Sequence, residues 1–363
     1  AYKVCWLYNG SALATCFPSD SIAAIDRAVD DGVDVINFSI SGSLTNFLDP
    51  VEVAFLYAAD AGVFVAASAG NSGPANSTVA HPSPWLTTVA AGTHNREVNG
   101  SATLGNGAAY TGASSAATAV GPAPLVRSID AGVAGADPTA LALCFTEEDN
   151  GGTAVLDPAK VAGKIVVCDR GVNARVAKST AVLAAGGVGM VLVNTSANSL
   201  NADFHAVPTV HLLNTDRTAV SDYAATSGAT ASISASVLST TAPAPFTASF
   251  SSRGPLLAGG GNLLKPDVIA PGQDILAGVA PPNNSGRLFD LLSGTSMSSP
   301  HVAGIRGDVA QIRSRAWHAA LQWFRRVAAR PGRPVLLLME DLHWADQGSL
   351  DFLAELARRS ADL

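Results

Sequence analysis

A serine close to residue 300 has the sequence surroundings of a nucleophile. Ser296 follows Gly294 and precedes a predicted helix, with Pro300 in the predicted first turn of that helix. A serine at such a junction exposes its hydroxyl group, and the free N–H groups of the first helical turn point towards whatever the hydroxyl attacks. Acyl transfer needs both features, because negative charge develops on the carbonyl oxygen in the transition state.

Alternating strands and helices at the start of the chain predict the framework that must position this serine. The pattern predicts a strand at 2–7, a helix at 19–31 capped by Ser19 or Asp20, a strand at 33–40, a helix at 50–61 and a strand at 63–68. Strands and helices at this spacing favour an α/β fold with parallel strands joined by right-handed crossovers. The near-continuous apolar strands are typical of a sheet that is buried on both faces.

Two small-residue segments follow the second and third predicted strands. In open parallel sheets, ligands bind just beyond the carboxyl ends of the strands. We therefore expect both segments to line a binding site, although either segment taken alone is also compatible with ordinary loop chemistry. The segments are Ser39, Ile40, Ser41 and Gly42 after the second strand, and Ser68, Ala69, Gly70 and Asn71 after the third.

The eleven residues 294–304 resemble the nucleophile motif of the subtilase family of serine endopeptidases almost letter for letter. The resemblance implies that Ser296 is the nucleophile and that Asn71 donates a hydrogen bond to the oxyanion. Residues 34–42 resemble the family strand that pairs with an extended polypeptide substrate, and the small residues at 39–42 and 68–70 are then substrate-binding. Two further blocks, at 246–255 and 265–272, also precede the serine motif in that family.

The resemblance also implies a base and an acid that the chain does not show in the expected patterns. A serine needs a base within hydrogen-bonding reach and an acid that orients the base. Subtilases place these residues in the chain order Asp, His, Ser, and we expect the missing pair upstream of residue 1. His301 and Asp267 are predicted to be structural. We expect this chain alone to be inactive or nearly so; a peptide-binding pseudoenzyme without catalysis is the alternative.

An insert interrupts the predicted catalytic domain, which occupies residues 1–114 and 244–304. Residues 115–243 contain a strand, a helix at about 174–185 and a second strand, and they resemble the protease-associated domain of some subtilases. The implied role of this insert is substrate access or subunit contact, including a homodimer through the insert. The predicted fold is therefore an incomplete, parallel-sheet subtilisin-like α/β fold with an inserted α/β domain.

The composition changes abruptly after residue 304. Residues 305–363 contain nine arginines and no lysine, and they read as a helix, a strand and a helix. Residues 334–346 resemble the Walker B strand of regulatory ATPases, but no G-x-x-x-x-G-K-S/T loop accompanies it. We interpret this tail as an ATPase remnant that was joined by gene fusion, frameshift or assembly error.

Charge and cysteine content restrict the partners. The net charge of -7 argues against nucleic acid, which needs clustered lysine and arginine. No apolar run reaches the ~18 residues of a membrane helix, so no membrane partner is expected. The four cysteines form two local pairs, which predicts two disulfides in an exported protein; four buried thiols are the alternative. No metal or other cofactor is predicted, and the family resemblance implies a secreted protein.

Overall fold

The structure is a computed structural model that describes residues 1–7, 14–281, 284 and 286–305. The predicted tail beyond Ile305 and its Walker B-like strand lie outside the described residues. The helices and strands are β1 (Cys5–Leu7), β2 (Ala14–Cys16), α1 (Pro18–Asp30), β3 (Val35–Phe38), α2 (Pro50–Asp60), β4 (Phe64–Ser68), β5 (Thr87–Gly92), β6 (Glu97–Leu104), β7 (Ala109–Ala113), β8 (Val120–Arg127), α3 (Pro138–Ala142), α4 (Pro158–Val161), β9 (Ile165–Asp169), α5 (Arg175–Ala184), β10 (Gly189–Val193), β11 (Thr209–Leu212), α6 (Arg217–Ala224), β12 (Thr230–Ile233), β13 (Val237–Ser239), β14 (Val268–Pro271), β15 (Ile275–Gly278), β16 (Phe289–Leu292) and α7 (Thr295–Ile305).

A four-stranded sheet in the order β14-β5-β4-β3 carries the predicted binding segments, and every neighbouring pair in it is parallel. The prediction that β3 and β4 run parallel is confirmed. Helix α2 follows β3 as predicted, because the Asp49 side chain accepts the Val51 N–H and Gly62 follows its end. Phe55 of α2 and Val65 of β4 are fully buried in one core cluster, which holds α2 against the sheet.

Two predictions near the amino terminus were wrong. Among the described residues, β1 is not in the parallel sheet but pairs antiparallel with β2, with Cys5 directly opposite Cys16. The disulfide between these two cysteines, with a Cα–Cα distance of 4.1 Å, holds the hairpin together. Helix α1 begins at Pro18 and not after a Ser19 or Asp20 cap, since proline has the backbone angle of a first helical residue.

The second sheet has eight strands in the order β12-β8-β9-β10-β11-β7-β6-β13 and also pairs β12 with β6. Seven of its strands therefore form a closed ring around an apolar interior, in which Ile165, Val191 and Leu212 are fully buried. The predicted strand, helix and strand of the insert are confirmed by β9, α5 and β10, and β9 pairs parallel with β10. The sheet also takes in β6 and β7, which precede residue 115.

The second predicted disulfide is confirmed as well. Cys144 and Cys168 are bonded, both side chains are fully buried, and the bond ties the loop after α3 to β9. No helix within the described ranges combines the length and the apolar character required to cross a membrane.

Candidate active site

The serine motif forms a turn between a strand and a helix. After β16, the chain turns at Ser293 and Gly294, and Ser296 is the second residue of α7. The Gly294 N–H donates to the carbonyl oxygen of Gly272 at 2.8 Å, and the Met297 N–H donates back to the Gly294 carbonyl at 3.0 Å. The structure thus places the half-buried Ser296 in the first helical turn, in which the Met297 N–H is already paired.

Pro300 lies in the second turn of α7, so its predicted place in the first turn was wrong. Proline has no N–H group, and in a helix that group would bond the carbonyl oxygen four residues earlier, which here belongs to Ser296. The Ser296 carbonyl instead accepts a hydrogen bond from Ser39 Oγ at 3.0 Å, and Asn37 Nδ2 donates to the same hydroxyl at 3.1 Å. The segment after β3 therefore holds the turn that carries Ser296 from outside the helix.

The Ser296 hydroxyl donates to the carbonyl oxygen of Ser39 at 3.4 Å, and within the described ranges no histidine or carboxylate bonds to it. His301 binds the carbonyl of Met297 through Nδ1 at 2.7 Å. Asp267 accepts from Lys265 Nζ and from a backbone N–H in β5, both at 2.6 Å. The contacts of His301 and Asp267 are those of structural residues.

The asparagine loop, Ser68–Asn71, continues from β4 and reaches Thr295, the residue before Ser296. The Gly70 N–H donates to Thr295 Oγ1 at 3.1 Å, and Asn71 Oδ1 accepts from Thr295 N at 2.9 Å and from Thr295 Oγ1 at 3.0 Å. Gly70 has φ +99°, and a Cβ there would lie 2.8 Å from Ser252 Oγ, so this position requires glycine. Ser68, Ala69 and Gly70 are buried.

These contacts orient the Asn71 amide. Its oxygen is occupied by two donors of Thr295, whereas its Nδ2 has no acceptor among the described residues. An amide held in this way can donate to a negatively charged oxygen that forms beside Ser296. Thr295 was not singled out from the sequence; only its position next to Ser296 in the motif could have indicated its role.

The segment Ser39–Gly42 follows β3, which is an edge strand of the four-stranded sheet. An edge strand presents backbone groups to which an extended peptide can add as a further strand. Ser41 is exposed on this segment, and Ile40 is half-buried. The four residues after β3 and the asparagine loop lie at the same edge because β3 and β4 are parallel.

A buried histidine, paired with a buried glutamate, contacts this segment. His81 Nε2 contacts the Ile40 carbonyl at 2.7 Å, and Nδ1 contacts Glu52 Oε1 at 2.6 Å. Because a carbonyl only accepts, Nε2 carries a hydrogen. A Cβ at Gly42 would lie 2.5 Å from the His81 ring, so only glycine fits there. Sequence reasoning missed this pair, since the two residues are 29 positions apart and share no motif.

Comparison with known proteins agrees with this geometry. The family model described as "Subtilase family" matches residues 13–333, which continues past the predicted junction at 304. Subtilisin-like protease SBT1.7 of Arabidopsis thaliana is 42% identical over 354 residues, covering 92% of this chain and 44% of that protein. SBT5.3 of the same plant is also 42% identical, covering 88% of this chain and 42% of that protein, and SBT1.3 is 40% identical, covering 87% and 40%. This chain thus spans less than half the length of these curated relatives. From the family match and this level of identity, the chain belongs to the subtilase family.

Proposed function

We propose that the protein is a serine endopeptidase that hydrolyses peptide bonds through an acyl-enzyme on Ser296. The observation that supports the proposal is the pair of hydrogen bonds from Thr295 to Asn71 Oδ1, which leaves the Asn71 amide nitrogen unpaired next to the residue that precedes Ser296. The substrate is a polypeptide in extended conformation that binds along Ser39–Gly42 and the asparagine loop.

The chemistry follows from these placements. Ser296 Oγ bonds to the carbonyl carbon of the substrate, and Asn71 Nδ2 donates to the oxygen that becomes negative. The amine leaves with the proton that a general base removed from the hydroxyl, and water then hydrolyses the acyl-enzyme ester. In the family motif the base is a histidine and its orienting residue an aspartate; we assign neither role to a described residue.

A second candidate is peptide binding without catalysis by the isolated 363-residue chain. The observation that favours it is the hydrogen bond of Ser296 Oγ to the Ser39 carbonyl at 3.4 Å, in place of a bond to a base. Without an activated hydroxyl, the oxyanion donor and the binding segments leave only a small residual rate. We therefore propose that this chain alone hydrolyses peptides slowly or not at all.

The remaining proposals concern the insert and the compartment. We propose that the sheet around β8–β13 is a protease-associated domain that serves substrate access or subunit contact, including a homodimer. The two disulfides support export to an oxidising compartment. The tail after 304 is proposed to be an ATPase-like remnant.

A fluorophosphonate probe tests the role of Ser296. The folded chain, the Ser296→Ala variant and the Ser299→Ala variant, a matched serine on the same helix, are treated with the probe, and the modified residue is located by mass spectrometry. Binding of an extended peptide is measured on the same samples.

Labelling at Ser296 that only Ser296→Ala abolishes would support the nucleophile and contradict the inactivity of this chain. Peptide binding without labelling would support the non-catalytic candidate. A folded chain that neither reacts nor binds peptide would overturn both.

A further inference from the structure

A short segment of the insert lies against the residues that lead into the nucleophile. We call residues 198–202 the strap. Six hydrogen bonds join the strap to the nucleophile part of the chain. They are Ser199 N to Ser249 Oγ at 2.8 Å, Ser249 Oγ to Asn198 Oδ1 at 2.9 Å, Gln273 Nε2 to Leu200 O at 3.0 Å, Asn201 Nδ2 to Ser293 Oγ at 2.8 Å, Asn201 Nδ2 to Asp274 Oδ1 at 3.5 Å and Ala202 N to Asp274 Oδ1 at 3.3 Å.

One of these bonds reaches Ser293, three residues before Ser296. Its Oγ accepts from the Asp274 N–H at 2.8 Å and donates to Asp274 Oδ1 at 3.0 Å. A serine hydroxyl has one hydrogen to donate and two lone pairs to accept. The bond from Asn201 therefore fills its last position, so the Ser293 hydroxyl is fully satisfied only when the strap is in place.

The insert holds Asn201 in a defined orientation. The side chain is 1% exposed. Its Oδ1 accepts from the Ser199 hydroxyl at 3.2 Å, which turns Nδ2 towards Ser293. Its backbone N–H donates to Nδ1 of the buried His211 at 3.1 Å, and His211 Nε2 donates to Asn194 Oδ1 at 2.8 Å. The donor that reaches Ser293 is thus anchored to strand β11 of the insert.

The charge at Asp274 makes these donors important. Asp274 has a positive φ of 51°, which is uncommon for residues other than glycine. The pKa of its carboxyl group is raised, chiefly by burial and also by the nearby Asp203, whereas hydrogen bonds from Ser293 and Ala202 act in the opposite direction. The strap supplies donors to this half-buried carboxyl group, and so holds the turn after β14 against the turn before α7.

We propose that Asn201 is a positioning residue for the nucleophile turn, through which the insert controls the placement of Ser296. This inference rests on the proposed function, because the placement matters only if Ser296 reacts. The physical coupling between Asn201 and Ser293, however, can be measured without any reaction.

Hydrogen exchange read by mass spectrometry on the full 363-residue chain tests the coupling. In Asn201→Ala, the amides of residues 294–296 should exchange about tenfold faster, the change expected for loss of one buried hydrogen bond. Asn150→Ala is the matched control, because the Asn150 side chain bonds a carbonyl within its own loop of the insert. It should leave exchange at 294–296 unchanged.

Two further variants, Ser293→Ala and the double variant Asn201→Ala with Ser293→Ala, separate an effect of Asn201 through Ser293 from a general loss of packing. If Asn201 acts through Ser293, Ser293→Ala speeds exchange at these amides and the double variant adds little to either single change. Additive effects, or unchanged exchange at 294–296 in both single variants, would overturn the proposal. Ser293→Ala also serves if Asn201→Ala does not fold. Repeating the measurement in a Ser296→Ala background should give the same ratios of exchange rate between each variant and its parent chain. Because exchange does not require Ser296 to react, failure of the proposed function and failure of this inference are distinguishable.

Discussion

Protonation of His211 should be strongly coupled to unfolding. The imidazole is fully buried in β11, and burial lowers its pKa from the usual 6.5 to about 3, with Arg175 and Arg170 acting in the same direction. Its tautomer follows from its partners: Nδ1 accepts the Asn201 N–H, so the proton is on Nε2, which donates to Asn194 Oδ1. A second proton on Nδ1 would remove the acceptor for the strap.

The sign and size follow from the pKa difference. Because the folded pKa lies below the unfolded one, the unfolded chain takes up the proton first as the pH falls. The stability that the neutral ring contributes is complete above pH 6.5 and is lost as the pH falls towards about 3. One pKa unit corresponds to about 1.4 kcal/mol, so a change from pH 7 to pH 5 should lower the free energy of unfolding by about 2 kcal/mol through this group.

Urea unfolding at pH 7 and pH 5 measures this loss. Three proteins are compared: the unmodified chain, His211→Gln, which keeps a donor and an acceptor but does not titrate, and Asn150→Ala as a control without a change in titratable groups. We expect the decrease between the two pH values to be smaller by about 2 kcal/mol in His211→Gln. The control should show the decrease of the unmodified chain. Equal decreases in all three would refute the reasoning that the fold excludes this proton.

Three further predictions concern the site and the insert. Gly42→Ala places a Cβ 2.5 Å from the buried His81 ring, so urea unfolding should show a loss of about 1–3 kcal/mol from overpacking; Gly278→Ala, where the nearest atom to the added Cβ is 3.8 Å away, is the comparison for space, and an equal loss there would contradict the packing argument. Removing the disulfide of Cys144 by substitution to serine frees a loop closed over 24 positions, and the free energy of unfolding should fall by about 3 kcal/mol; a loss near zero would argue against this bond in the folded chain. Thr295→Val keeps the side-chain shape but removes the hydroxyl that binds the asparagine loop, so peptide affinity should fall while far-UV circular dichroism stays the same; unchanged affinity would contradict the role given to that hydroxyl.

Interactions between residues that are close in the sequence were sufficient to predict several elements of the structure. Helix α2 could be predicted because Asp49, Pro50 and Gly62 are start and stop signals that act within a few residues of the helix ends. The parallel pairing of β3 and β4 followed from the strand, helix and strand order. The two disulfides followed from cysteines that are 11 and 24 positions apart. Each of these predictions depends on contacts between residues that are separated by few positions in the sequence.

The choice of strand partners could not be predicted in the same way. The sequence indicated that 2–7 is extended, but β1 pairs with β2 and not with the parallel sheet, since any strand can satisfy its backbone groups with more than one partner. Likewise, β6 and β7 resemble other short polar strands, and only the closed sheet shows that they join the strands of the insert.

The sequence by itself determined the two residues to which we assign the chemistry of the proposed site: Ser296 at a glycine-to-helix junction and Asn71 after a buried strand. Only the tertiary structure decided what surrounds them. Thr295 and Asn71 are 224 positions apart, and Asn201 and Ser293 are 92 apart. Hydrogen bonds at such separations depend on the packing of whole sheets, which no local pattern of residues encodes.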